Sequence, residues 1–273
     1  MEKKKVLFIS QEIYPFLPKS EVSAHARRLP QITQEEGKEI RVFTPRYGVI
    51  NERRHQLHEV IRLSGLNLSI DDQDHPLIIK VASVSAAKMQ VYFIDNDDYF
   101  KRKSTLKDEE NVDYPDNDER AMFFCRGVLE TVKKLGWQPD VIHCNGWFTG
   151  IMALYIKHIY SKDPHFKSTK IIYNIYNDAF DKDWDPRFFE KLKMDGFPSK
   201  VTDSLKDTSF NNITQVIVDH CDGISVASEE LTSELQTIFD NSPAHKIGLI
   251  AEDLLSKELS AFIDKVVNEP VLA

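Results

Sequence analysis

The run Asp140-Val141-Ile142-His143-Cys144-Asn145-Gly146-Trp147-Phe148-Thr149-Gly150 sets an imidazole, an amide and an indole close together, directly after the apolar strand residues Val141 and Ile142. The apolar helical pattern Ile151, Met152, Leu154, Tyr155 follows at once. In an open α/β sheet, such a strand-to-helix corner is where ligands bind. The chemistry on offer is hydrogen bonding and stacking: the Asn145 amide can donate and accept but carries no charge. Trp147 can stack on a ring or pack in the core, and His143 has a core reading as well. A second strand end, Asn174-Ile175-Tyr176-Asn177, adds the amide of Asn177. Asp116, Asn117 and Arg120 stand at a predicted helix start, where a carboxylate can accept the free N–H groups of the first turn. Lys19, in Pro18-Lys19-Ser20-Glu21-Val22, is a cation for a phosphate or a solvated loop lysine, and Glu21 beside it opposes an anion.

No metal centre is expected. The acidic runs Asp95 to Asp98 and Asp108-Glu109-Glu110 lie on loops without His or a fixed geometry and read as surface charge. The cysteines Cys125, Cys144 and Cys221 are too scattered for a disulfide framework or a zinc site, which points to reduced thiols and a cytoplasmic protein. A net charge of -8 argues against nucleic-acid and anionic-membrane partners, because those surfaces reward clustered cations. The basic start Met1 to Lys5 precedes an apolar stretch, Val6 to Ile9, too short for a signal peptide; no run is long enough to span a membrane.

Behind these residues stands an alternation of short β-branched runs and helical patterns. Strands are predicted at Val6 to Ile9, Ile40 to Phe43, Val141 to His143, Ile171 to Tyr173 and Gly223 to Val226. Helices are predicted at Ser23 to Glu36, Glu119 to Leu135, Trp147 to Tyr160 and Glu229 to Phe239, with Gly37 and Gly136 as C-terminal caps. The expected fold is α/β, a Rossmann-like parallel sheet with helices on both faces. Between 57 and 93 the runs Leu66 to Ile70, Leu77 to Val84 and Met89 to Phe93 predict an antiparallel excursion, and Asp178 to Leu205 reads as loop.

Several segments, in order, resemble bacterial glycogen synthases and plant starch synthases. They are Lys5 to Glu12 with Pro15-Phe16; Pro45-Arg46-Tyr47-Gly48; Tyr92 to Asn96 with Tyr99-Phe100; Asp116-Asn117 with Arg120; Val141 to Gly150; Cys221 to Ala227; and Gly248 to Asp253. The resemblance implies the first of two facing Rossmann-like lobes of a GT-B glycosyltransferase that moves glucose from ADP-glucose to an α-glucan, with no separate cofactor. It divides the chain into a domain at 1–253 and a C-terminal helix and tail at 254–273, the amphipathic Leu254 to Val267 and then Pro270, in place of the second lobe. It also makes Asp116 a cleft residue, an alternative to the helix-start reading.

The polar positions depart from the family pattern. Its Lys-Thr-Gly-Gly-Leu loop, whose glycines let backbone approach the nucleotide sugar, is here Pro18 to Val22. Its His-x-His-Asp-Trp-His is His143 to Phe148, and its Thr-x-His-Asn is Asn174 to Asn177. The substrate-binding candidates are thus Lys19, Asp116, Asn117, Arg120, His143, Asn145, Trp147 and Asn177, with Asp116 and Asn145 the candidates for catalysis. The expected role is a non-catalytic domain that keeps glucan binding or a regulatory part. Two alternatives stay open: an active subunit that pairs with a separate C-terminal lobe and takes ADP-glucose, or a new small-molecule site built from Lys19, Asn145, Asn177 and Asp116. Whether the face turned to a second lobe instead forms a homo-oligomer is left open too.

Overall fold

The computed structural model describes residues 3–269; the Pro270 tail and the first two residues of the basic start lie outside them. One ten-stranded sheet runs through the molecule. Its strands are β1 Lys5–Ser10, β2 Glu39–Pro45, β3 His58–Glu59, β4 Leu66–Ile70, β5 Gln73–Val84, β6 Met89–Asp95, β7 Val141–Asn145, β8 Lys170–Ile175, β9 Gly223–Val226 and β10 His245–Ile247. The order is β10-β9-β8-β7-β1-β2-β6-β5-β3, with β4 on β5. From β10 to β6 every pair is parallel, while β5 runs antiparallel to β6, β3 and β4.

β1, β7 and β8 are buried almost end to end, as strands covered on both faces must be. The order reverses at β1: the chain moves outward through β2 and β6, then returns to build β7 through β10 on the other side. The crevice between the carboxyl ends of β1 and β7 is therefore the topological switch point. There Ser10 stands opposite Asn145, and the Gln11 N–H donates to the Asn145 carbonyl at 3.3 Å.

Met89 to Phe93 lies within β6, which pairs antiparallel with β5 as expected and also joins the parallel sheet beside β2. Three expectations are corrected. The Asp178 to Leu205 stretch holds two helices, Phe188–Met194 and Ser199–Ser204, because Phe188, Leu192 and Val201 supply buried anchors among its charges. The helix expected from Glu229 begins at Ser233, where the Thr232 side chain accepts from the Leu235 N–H and so caps it. The predicted helix Trp147 to Tyr160 is helical but irregular, with α-helical turns giving way to a π-helical stretch at Tyr155–Ile159.

The amphipathic C-terminal segment forms the helix Leu255–Asn268. Its Leu255, Leu259, Phe262, Ile263 and Val266 belong to the same hydrophobic core as the sheet. At Gly223 an added Cβ would come within 2.7 Å of Val266, so β9 depends on glycine for this close packing. Among the described residues no helix is long and apolar enough to cross a membrane. Because Ile263 is fully buried, Ile263→Ala is expected to lower the unfolding free energy by about 2–4 kcal/mol. Urea unfolding measures this, and a loss within error of zero would mean that the helix is a mere appendage.

Candidate functional site

At the switch point β1 ends at Ser10 and leads into Gln11-Glu12, and β7 ends at Asn145 and leads into Gly146. Gly146 has φ of 84° and opens the helix that starts at Trp147. Having no side chain, it cannot cap that helix. Gln11 does so from the neighbouring strand: its Oε1 accepts the Phe148 N–H at 3.1 Å, and its Nε2 donates to Asp178 Oδ2 at 3.0 Å. Asp178 Oδ1 is buried and has no hydrogen-bond partner. Desolvation raises the Asp178 carboxyl to about 7, further raised by the charge of Glu12 and opposed by the Gln11 hydrogen bond and the main chain of Trp147.

A cavity of about 420 Å³ opens at this corner, its wall including Gln11, Glu12, Trp147, Asn177 and Asp178 on the strand-end side. The opposite wall is the loop from Ser104 to Asp113. Asp113 pins that loop down, its Oδ2 accepting from the N–H groups of Asp181 at 2.7 Å and Lys182 at 3.1 Å. A Lys107–Asp181 ion pair ties the same two segments together.

Asn145 and Trp147 both reach this corner but are largely committed to the protein. Asn145 is fully buried; its Oδ1 accepts from Asn174 Nδ2 at 2.7 Å and the Tyr176 hydroxyl at 3.2 Å. Its Nδ2 donates to the Ile9 carbonyl and to His143 Nδ1, each at 3.3 Å. Ser225 donates to Asn174 Oδ1 and His25 Nδ1 meets Tyr176, which extends the network across three strands. His143 lies at the bottom, fully buried against Phe8; burial pushes its imidazole down to about 3, so it is neutral and cannot shuttle protons near neutrality. Trp147 is 4% exposed and packs on Phe180 and Trp184, leaving only a small part of its surface for the cavity. Asn177 is exposed, and its main-chain N–H donates to Ser228 Oγ.

Asp116, Asn117 and Arg120 build the wall rather than line the cavity. Asp116 stands at the N-cap of the helix Asn117–Lys134 but makes no side-chain capping bond, which corrects the helix-start reading; both its oxygens are gripped by Arg102, at 2.6 and 2.5 Å. Arg120 is fully buried and donates to the carbonyls of Tyr99 and Thr105 and to Asn117 Oδ1. Asn117 in turn donates to the Leu106 carbonyl at 2.8 Å. Together they shape the chain that leads into the 104–113 loop.

The Pro18 to Val22 loop ends in a capping box, since Ser20 Oγ accepts the Ser23 N–H and Ser23 Oγ accepts the Ser20 N–H. Those main-chain donors are spent on starting the helix Glu21–Glu35, two residues earlier than expected. Lys19 is exposed, with no hydrogen bond or ion pair among the described residues. Asp95 is not surface charge: it is buried and pairs with Arg46 and Lys80. Among the described residues, Asp118, Glu119 and Asp185 come close enough to share a cation, and the Lys191 ammonium already fills that place at 2.7, 2.7 and 2.8 Å.

Gln11 and Asp178 escaped the sequence reading. The available signal was joint: a glycine at the helix cap, and a carboxylate immediately after the Asn174 to Asn177 strand end. Asp178 binds its proton more tightly in the folded than in the unfolded chain, so its ionisation destabilises the fold progressively as pH rises from about 4 to about 7. Asp178→Asn removes that penalty. Relative to wild type, the variant's stability is expected to climb by up to about 1.4 kcal/mol per pH unit across this window. Urea midpoints at pH 4 and pH 8 test this; an equal difference at both would show an unperturbed carboxyl.

The starch synthase catalytic domain family matches residues 5–249. The glycogen synthase of Chlorobium limicola is 33% identical over 251 residues, 91% of this chain and 50% of that protein. The glycogen synthase of Chlorobaculum tepidum is 40% identical over 202 residues, 70% of this chain and 41% of that protein. The chain thus spans about half the length of the curated relatives it matches. The catalytic domain of Starch Synthase IV from Arabidopsis thaliana, solved bound to ADP and acarbose, is similar in fold with a TM-score of 0.71 at 16% identity, over 91% of this chain and 52% of that one. With its family motifs in order along the sheet and its strand ends meeting at one crevice, the chain belongs to the starch synthase catalytic domain family.

Proposed function

We propose that this domain binds an α-glucan in the cavity at the carboxyl ends of β1 and β7 and does not by itself transfer glucose from ADP-glucose. The observation that carries this reading is the sign of the charge around the cavity. Glu12, Asp108, Asp113 and Asp178 line it, against one cation among its described lining residues, Lys107, which is paired with Asp181. Two like unit charges at about 4 Å cost about 4 kcal/mol at an effective dielectric of about 20, so a diphosphate set against these carboxylates is repelled. A neutral polyhydroxylated chain meets the same groups as hydrogen-bond acceptors.

The diphosphate cradle has gone from the Pro18 to Val22 loop for a second reason. Its N–H groups at Ser20 and Ser23 close the capping box, and transfer needs donors preorganised on the departing charge. A second lobe facing these strand ends, as in the family's two-lobed build, would have to supply them.

Calorimetric titration separates the readings. Maltoheptaose is expected to bind the purified chain, and ADP-glucose is not. ADP-glucose binding would instead support a retained donor site and the subunit reading, and the absence of glucan binding would refute the proposal.

A further inference from the structure

The corner differs from the family pattern at positions that work as one device. Where the motif His-x-His-Asp-Trp-His carries Asp, this chain has Gly146, and a Cβ built there would lie 2.3 Å from Gln11 Cδ and Oε1. The Gln11 side chain therefore occupies the space above Gly146. From there one end of its amide caps the helix at Phe148 while the other holds Asp178. The carboxylate missing at position 146 is in effect supplied by position 178, on the next strand end.

We propose that Asp178 is the ligand-binding carboxyl of the cavity, held in place by Gln11 as a positioning residue, and that it accepts hydrogen bonds from the hydroxyls of a glucan chain. This rests on the glucan-binding reading above. Asp178 lines the cavity beside Trp147 and Asn177, and its Oδ1, like Asp113 Oδ1 on the facing loop, is a buried acceptor without a partner; Asp178 is the one of the two that Gln11 holds at the strand-end corner. Buried polar groups left unpaired are uncommon and costly, and a sugar hydroxyl is the neutral donor that satisfies one with a charge-assisted bond. The titratable and charged groups around it are Glu12 from the end of β1, Tyr173 and Tyr176 from β8 and its end, and Lys107, Asp108 and Asp113 from the facing loop. Hydroxyl donors favour the ionised form, so binding tightens as Asp178 loses its proton.

The test is calorimetric titration with maltoheptaose at pH 6 and pH 8 for the wild type, Asp178→Asn and Gln11→Met, with circular dichroism confirming that each is folded. For a carboxyl near 7 whose ionised form binds, wild-type affinity is expected to rise about tenfold from pH 6 to pH 8. Asp178→Asn should lose about tenfold at pH 8 and show a flat pH profile. Gln11→Met, which removes a donor from the carboxylate, should move the rise to higher pH, a change that a purely structural Gln11 would not produce. If the wild type binds and Asp178→Asn binds equally well with the same profile, this assignment falls and the glucan-binding reading stands. If the wild type binds at neither pH, both fall.

Discussion

The parallel register of β1 against β7, with Ser10 opposite Asn145, is the constraint on which the corner depends. Both strands are apolar and buried along their length, and a slip by one residue would turn every inward side chain the wrong way. With that register set, Gln11 leaves β1 level with Gly146, and the absence of a Cβ lets its side chain lie across the helix start. Asp178 is reached from the same level through β8, whose Asn174 pairs with Asn145. The position of one glutamine thus follows from the packing of two apolar strands.

Around that corner, buried polar groups serve the walls more than the cavity. Arg120 spends its guanidinium on the carbonyls of Tyr99 and Thr105 and on Asn117. Lys191 gathers Asp118, Glu119 and Asp185. A buried charge is tolerated when it is paired and hydrogen-bonded, and each of these clusters ties the helix Asn117–Lys134 to a neighbouring segment. The first of them also holds the 104–113 loop, through the carbonyls of Thr105 and Leu106. Asn117 and Arg120, which match the family pattern, thus serve the wall of the crevice, while positions in Pro18 to Val22 and His143 to Phe148 depart from that pattern.

The positions that depart from the family pattern have exchanged one chemistry for another. Imidazoles and glycines of the family pattern give way to amides, to an aromatic ring and to Glu21, and the strand ends are knitted together through Asn145, Asn174, Tyr176 and Ser225. Such a network is rigid because its members satisfy one another. It leaves a crevice whose lining is acidic, with Glu12, Asp108, Asp113 and Asp178.

The sequence alone determined the architecture and the kinship. The β-branched runs, the helical periodicities and the ordered motifs from Lys5 to Asp253 are local signals, and the strands and helices they imply are largely those found. It also marked the strand ends after Val141-Ile142 and after Ile171 to Tyr173 as the place to look, since apolar runs that end in polar residues show where a buried strand surfaces. What only the tertiary structure decided is which polar groups are spent. Asn145, Asp116 and Arg120 read as ligand-facing until their partners, supplied from distant segments, fill their hydrogen bonds. Gln11 and Asp178 read as ordinary loop residues until the fold brings 11, 146 and 178 together. Hydrogen-bond saturation and burial arise between segments far apart in the chain, and spacing along it carries no record of them.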